Sequence, residues 1–472
     1  MKKFISIVFF MFLWLFLCYG EKTPVKSLYS YKLKNGLSLF VAENHSVPLT
    51  YIEIAVRCGA YTQKADTVGL FHLYEHMMFK GNSLYKTAAE VDKATRDMGV
   101  SDRNGTTNTE YVNYFFTVPS HLTERGLEFW NAAIRFPNLD EKEFENEKKV
   151  VIAEINGKAG ESGYKIYRSR YNLLFPENTI TTDGAGTEES IKAATVQQLR
   201  DMMKTYYIPN NAAVFVAGDV EPAEVHRMVK KIFGSWEKGP DPFENGCVRH
   251  TKTPFSKPEL RVQPYDQISP DLADVTVTFR GPDTEYDLND TYIADVFCQA
   301  LYDPQGYYKT YMVQNPLLGI PDTSYVYGGY PTAKTVGLFS FGATFVNPES
   351  DIAERAIYFA QIIPETMKNI AESLTDSDFE LFRRRLEDSC IIEAETAVSL
   401  VTTLRGWWLV ADEGYYYTYN DRLFAVTPAE LSDFADRYFE NKNPLVTVLV
   451  NPEVYEKIKA QFERNGFSLL YE

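Results

Sequence analysis

His72 and His76 stand four residues apart in Gly69-Leu70-Phe71-His72-Leu73-Tyr74-Glu75-His76-Met77-Met78-Phe79. On a helix their rings project from one face, one turn apart, and that geometry can grip a single metal ion. Glu75 adjoins His76 and is close enough to reach a water on the same ion. A core helix with hydrogen-bonded histidines would show the same spacing. Three features favour the metal: the glutamate between the pair, the apolar residues around it, and an acidic helix downstream.

Two histidines leave a catalytic zinc one protein ligand short, because a tetrahedral ion keeps one position for water. The best region for a third is Glu145-Asn146-Glu147-Lys148-Lys149-Val150-Val151-Ile152-Ala153-Glu154. Glu147 and Glu154 are two helical turns apart and share a face, with Lys148 and Lys149 directed away from it. On spacing alone either could bind metal. Val150 to Ala153 predict that Glu154 is buried, and a buried carboxylate needs a cation or a metal.

These elements must be held by a larger frame, and the frame repeats. Thr195-Val196-Gln197-Gln198-Leu199, Tyr206, Asn211 and Ala213 to Ala217 recur as Thr427-Pro428-Ala429-Glu430-Leu431, Tyr438, Asn443 and Leu445 to Leu449, at an offset of 232. Each copy reads as a threonine-capped amphipathic helix followed by a turn and a β-branched strand. A second echo, Leu139 to Glu145 against Leu374 to Glu380, has an offset of 235. In the first half, strands are predicted at 37–43, 50–56 and 111–118, and helices at 67–79 and 140–158. The fold class expected is α+β: two homologous domains, each a mixed or antiparallel sheet backed by helices. Residues 1–20 read as a signal peptide, 21–236 as the metal-bearing domain, the Pro- and Gly-containing stretch 237–258 as a linker, and 259–472 as a homologous domain without the site.

HxxEH is the inverted zinc-peptidase motif. Followed 75 to 80 positions later by an E-x6-E helix, in a chain with a duplicated domain, it resembles the insulinase or pitrilysin family of zinc peptidases, of the short two-domain type related to mitochondrial processing peptidase. The resemblance implies one Zn2+ per chain held by His72, His76 and Glu154, with Glu75 as general base and Glu147 as a supporting acidic residue. It also implies that a zinc-activated water attacks the scissile carbonyl of a peptide. Asn104-Gly105-Thr106-Thr107 falls where the family has an Asn-Ala-x-Thr edge strand that pairs with the substrate backbone. Asn104 and Gly105 are therefore candidate substrate contacts, against the alternative of a turn-forming Asn-Gly.

The second half has no histidine, and at the offset of 235 Phe382 stands opposite Glu147 and Ser389 opposite Glu154. The Arg and Tyr that the family's metal-free copy supplies to the substrate have no counterpart at the expected spacing, since Gly337-Leu338 is followed by Phe339. Tyr325, Tyr327 and Tyr330 lie near but are unassigned. The resemblance thus implies a dimer whose two chains enclose a chamber, with a homologous companion subunit favoured over a second copy. Two alternatives to an endopeptidase stand beside it: a weakly active, peptide-binding subunit, and an envelope protein with an incidental HxxEH.

The charges sum to −16, from 48 Lys and Arg against 64 Asp and Glu, and no basic face is visible, so nucleic acid is not an expected partner. Cys18, Cys58, Cys247, Cys298 and Cys390 form no CxxC pair, which leaves any zinc to nitrogen and oxygen ligands. Lys2 and Lys3 precede the apolar run Phe4 to Cys18, the pattern of a secretory signal cleaved before Glu21. The rival reading of that segment is lipidation of Cys18. No later segment has the roughly 20 apolar residues of a membrane span, so the protein is expected to be exported, to the periplasm, the extracellular space or the envelope surface.

Overall fold

The computed structural model describes residues 21–22 and 27–472, apart from residues 65, 101, 177–183, 248 and 252. The signal segment 1–20 and the Cys18 lipidation reading lie outside the described residues.

Two mixed sheets organise the chain. The first has seven strands: β1 (Glu21–Lys22), β2 (Leu28–Lys32), β3 (Ser38–Glu43), β4 (Leu49–Arg57), β5 (Arg103–Thr107), β6 (Tyr111–Pro119) and β7 (Ala212–Gly218), in the order β1-β2-β3-β7-β4-β6-β5. The second has six: β8 (Glu259–Pro264), β9 (Leu272–Arg280), β10 (Val326–Gly329), β11 (Leu338–Val346), β12 (Leu445–Val450) and β13 (Ser468–Leu469), in the order β10-β11-β9-β12-β8-β13. Read from opposite ends, five strands match one for one: β3-β7-β4-β6-β5 against β8-β12-β9-β11-β10. The pairing sense matches too, parallel for β3–β7 and β8–β12 and antiparallel for the next pairs. The fold is α+β and duplicated.

The strands are apolar on both faces because both faces are covered. In β7, Val214 and Val216 pack into the main core of the first half, while Ala213, Phe215 and Ala217 face the other way. What covers that second face comes from the far half: Leu400, Val401, Leu404 and Trp408 of the helix Ala397–Val410. The converse holds for the helix Ser162–Leu174, whose Ile166 packs with Leu449 and whose Leu174 packs with Val336, Leu338 and Leu445. These two exchanged helices begin 235 residues apart, the offset of the sequence echo.

The exchange is pinned by arginines at equivalent places, Arg170 and Arg405. Arg405 reaches the fully buried Glu53 at 3.3 Å, and Tyr51 and Asn113 donate to the same carboxylate at 2.8 and 2.6 Å. Arg170 donates to Thr276 at 3.3 Å beside Asp274, which accepts from Tyr327 at 2.8 Å. Burial pushes both carboxylates up from their ordinary range.

Candidate active site

The histidine helix spans Leu70–Met78, three residues later than predicted at its start. Gly69 sets that boundary with a φ of +85, and a Cβ there would meet the Ala185 carbonyl at 2.7 Å. The helix buries Leu70, Phe71, Leu73, Tyr74, Met77 and Met78, which leaves the stripe of His72, Glu75 and His76 half-buried on its outer face. The acidic helix, Glu141–Ala159, is started by Asp140, whose side chain accepts from Glu143 N. It lies against the histidine helix and brings Glu147 and Glu154 to the same stripe.

His76 Nε2 is 3.3 Å from His72 Nε2, and Glu154 Oε2 is 3.6 Å from His72 Nε2 and 3.5 Å from His76 Nε2. Tetrahedral ligation with bonds of about 2.0–2.1 Å separates donor atoms by about 3.3–3.4 Å, so the triangle has the size a zinc ion requires. Two imidazole nitrogens and a carboxylate are also the donor set that suits zinc. Glu147 stands one step back: its Oε2 is 3.1 Å from His76 Nδ1 and its Oε1 is 2.7 Å from Lys80 Nζ. The burial expected of Glu154 is found instead at Glu147. Glu147 is 6% exposed and Glu154 44%, because Val151 and Ile155 carry the helix's apolar contact while Glu154 sits on the open rim beside exposed Val150.

Glu75 points into a cleft of about 360 Å³ walled by Gly105, Thr106 and Thr107 on one side and Lys158 and Tyr167 on the other. Thr107 donates its hydroxyl to Glu75 Oε2 at 2.6 Å. Burial raises the Glu75 carboxyl above its ordinary range, opposed by the Thr107 hydrogen bond and by the charges of His76 and Lys158. That shift suits a group that must accept a proton near neutrality.

Asn104 and Gly105 lie in β5, at the edge of the first sheet, so the Asn-Gly pair is extended strand rather than turn. Asn104 is exposed, and its Oδ1 accepts from Gly105 N at 2.9 Å. A Cβ on Gly105 would stand 2.9 Å from Glu75 Cγ; its absence is what lets the edge approach the glutamate so closely. Two neighbours escaped the sequence reading, Lys80 and Lys158, and Thr107 entered it only as the end of the edge-strand stretch, without a role. Lys80 follows His76 by four residues, a helical spacing that could have flagged it.

Tyr327 is engaged with Asp274, and Tyr330 is buried with its hydroxyl on the Pro282 carbonyl. None of Tyr325, Tyr327 and Tyr330 lines the cleft. A second set, Glu43, His45 and Glu221, has both ring nitrogens of His45 already taken, by Asp219 at 2.7 Å and Glu43 at 2.9 Å, and is largely exposed. A larger groove of about 540 Å³ in the second half, beside Leu260, Phe279 and Pro364, holds no histidine. The four described cysteines Cys58, Cys247, Cys298 and Cys390 are free thiols.

The family described as insulinase, peptidase family M16, matches residues 39–167, and the peptidase M16 inactive domain matches residues 193–386. The chain belongs to the insulinase family. The zinc protease PqqE of Helicobacter pylori is 27% identical over 208 residues, 44% of this chain and 46% of that protein. The mitochondrial-processing peptidase subunit beta of Blastocladiella emersonii is 21% identical over 242 residues, 51% of this chain and 50% of that protein. The chain thus aligns with about half the length of these relatives. Among solved structures, the first half of the periplasmic protease PqqL from Escherichia coli superposes with a TM-score of 0.70 at 16% identity, covering 93% of this chain and 97% of that one. A protease from Helicobacter pylori gives a TM-score of 0.69 at 19% identity, covering 89% and 99%. Among the described residues no helix is long and apolar enough to cross a membrane.

Proposed function

We propose that this insulinase-family chain is an exported zinc endopeptidase that hydrolyses oligopeptides or small unfolded proteins. The observation that carries the proposal is the convergence of His72, His76 and Glu154 on one point beside Glu75, next to an uncovered sheet edge. The three side chains would hold one zinc ion per chain. Bound there, zinc supplies Lewis acidity, which brings the pKa of a coordinated water to about 7 and polarises a substrate carbonyl. Glu75, oriented by Thr107, takes the proton of the attacking water and returns it to the leaving amine. A peptide laid along β5 adds a strand to the sheet, with main-chain bonds near Asn104 and Gly105 giving affinity and modest sequence selectivity. Export is supported by the Lys2-Lys3 and Phe4 to Cys18 pattern and by the likeness to a periplasmic protease.

The test is metal content with product mapping on a mixed peptide pool. Stoichiometric zinc, cleavage abolished by a chelator and restored by zinc, and a Glu75→Gln protein that keeps its metal but not its activity are the expected results. Protein purified without chelator that contains no metal and binds none would sink the proposal.

One observation favours a second reading, a zinc-bearing subunit that needs a companion. Every described residue lining the cleft belongs to the first half. On this reading the chain works as a dimer, and cleavage appears only when a homologous partner subunit is added. Native mass measurement of the assembly, with and without activity, separates the two.

A further inference from the structure

Lys80 lies just past the end of the histidine helix. Its N–H donates to the Met77 carbonyl at 3.1 Å, which ties its backbone to the last helical turn. Gly81, with φ +140, turns the chain away at once, and a Cβ there would meet the Lys86 carbonyl at 2.6 Å. Four residues after His76, the lysine leaves on the imidazole face. Its Nζ meets Glu147 Oε1 at 2.7 Å, and the other oxygen of that carboxylate is 3.1 Å from His76 Nδ1.

The Glu147 side chain is 6% exposed, so this is not a solvated surface pair. A carboxylate so buried is retained only when both oxygens are engaged. With one oxygen held by the ammonium, the carboxylate cannot rotate, and the second oxygen must face Nδ1. That contact assigns the ring proton to Nδ1 and frees the Nε2 lone pair, which points to the place shared with His72 Nε2 and Glu154 Oε2.

We infer that Lys80 is a positioning residue of the metal centre, acting through Glu147 to fix the tautomer and orientation of His76. The inference rests on the reading of His72, His76 and Glu154 as zinc ligands. It assigns work to a residue outside the HxxEH and E-x6-E motifs.

The test is the zinc affinity of the full apo chain, by competition with a chromophoric chelator at one pH, for wild type, Lys80→Met, Lys80→Arg, Glu147→Gln and the double variant K80M/E147Q. Melting of each apo protein is followed in parallel. Removing an outer partner of a metal ligand costs about 10–100-fold in metal affinity, and K80M should fall at the lower end, with faster zinc loss. K80R should recover most of the affinity. In the E147Q background the lysine change should cost nothing more, since its route to His76 is already cut. K80M that binds zinc as tightly as wild type overturns the inference, and so do losses that multiply in the double variant. Wild type that binds no zinc overturns the ligand reading itself, a different result from wild type that binds and a K80M that matches it. Should K80M not fold, the neutral K80Q is read by the same criteria.

Discussion

The acidic helix Glu141–Ala159 and its counterpart Asp376–Glu393 begin alike, each after a leucine and each with a side-chain N-cap, Asp140 in one and Thr375 in the other. Two turns in they part. Glu147 in the first is buried against His76 and Lys80, and Phe382 in the second is buried in the core of its own half. Further on, Glu154 faces the two imidazoles while Ser389 is exposed. The histidine helix has a matching contrast. Its topological counterpart, Leu288–Tyr302 between β9 and β10, is buried along nearly its whole length and covered by Tyr415 and Tyr419 of the helix Glu413–Phe424. One scaffold therefore serves as site or as core, depending on whether a helix face is left open and a few positions carry donors.

The comparison breaks most visibly at the chemistry. Glu75→Gln should lower peptide cleavage by about 10²–10⁴-fold with zinc content unchanged; metal lost along with activity would put Glu75 among the ligands instead. Grafting the acid onto the other half, Ser389→Glu, should add no second ion in a native mass spectrum, because that half has no histidine. Core packing comes next. Phe382→Ala should cost about 3–5 kcal/mol in denaturant unfolding and leave zinc affinity alone, whereas Glu147→Gln at the matching place should do the reverse. A Phe382→Ala protein with wild-type stability would mean the second helix is not a core element.

The exchanged arginines sharpen the contrast at a smaller scale. Arg405→Met leaves Glu53, wholly buried, without its cation and should cost about 3 kcal/mol. Arg170→Met should cost about 1–2 kcal/mol, since Asp274 is only partly buried and Arg170 bonds Thr276 rather than the carboxylate. Equal losses, measured by urea unfolding, would show that burial of the carboxylate does not set the cost.

A further expected effect is one of pH. Burial pushes Asp295, on the counterpart of the histidine helix, up to about 7, with Tyr419 donating to it at 2.8 Å. Unfolded, the group titrates near its ordinary value of about 3.9. Between those values the folded chain holds the extra proton, so this residue's contribution to stability is full at low pH and is lost as pH rises toward 7. Asp295→Asn should flatten the fall in melting temperature over that window. A variant curve parallel to wild type would assign the slope to other groups.

Much of this was legible from residue order because it depends on local spacing. The offset of four from His72 to His76 places them on one helical face wherever the helix goes, and the offset of seven from Glu147 to Glu154 does the same. The echo at 232 to 235 predicted the duplication, and the apolar runs predicted β4, β6 and β7 within a residue or two. The burial of the two glutamates was not legible: Val150 to Ala153 is a mixed run, and which of its residues face inward depends on the helix against which they pack. Thr107 was named only as the end of the Asn104-Gly105-Thr106-Thr107 stretch, because its hydroxyl has no evident role until the strand is laid beside Glu75. The helix exchange left no trace in periodicity, since an apolar face looks the same whichever sheet it covers.

By residue order alone, the chain determined the candidate ligand types, their helical register, the doubled α+β frame and the lack of histidine in the second copy. Tertiary structure alone decided which acid is buried and which meets the imidazoles, that Lys80 holds Glu147, and that each half is roofed by a helix of the other. The reason is physical. Spacing along a helix is set by bonds a few residues long, whereas burial and charge pairing are set by surfaces that come together only when segments hundreds of residues apart are packed.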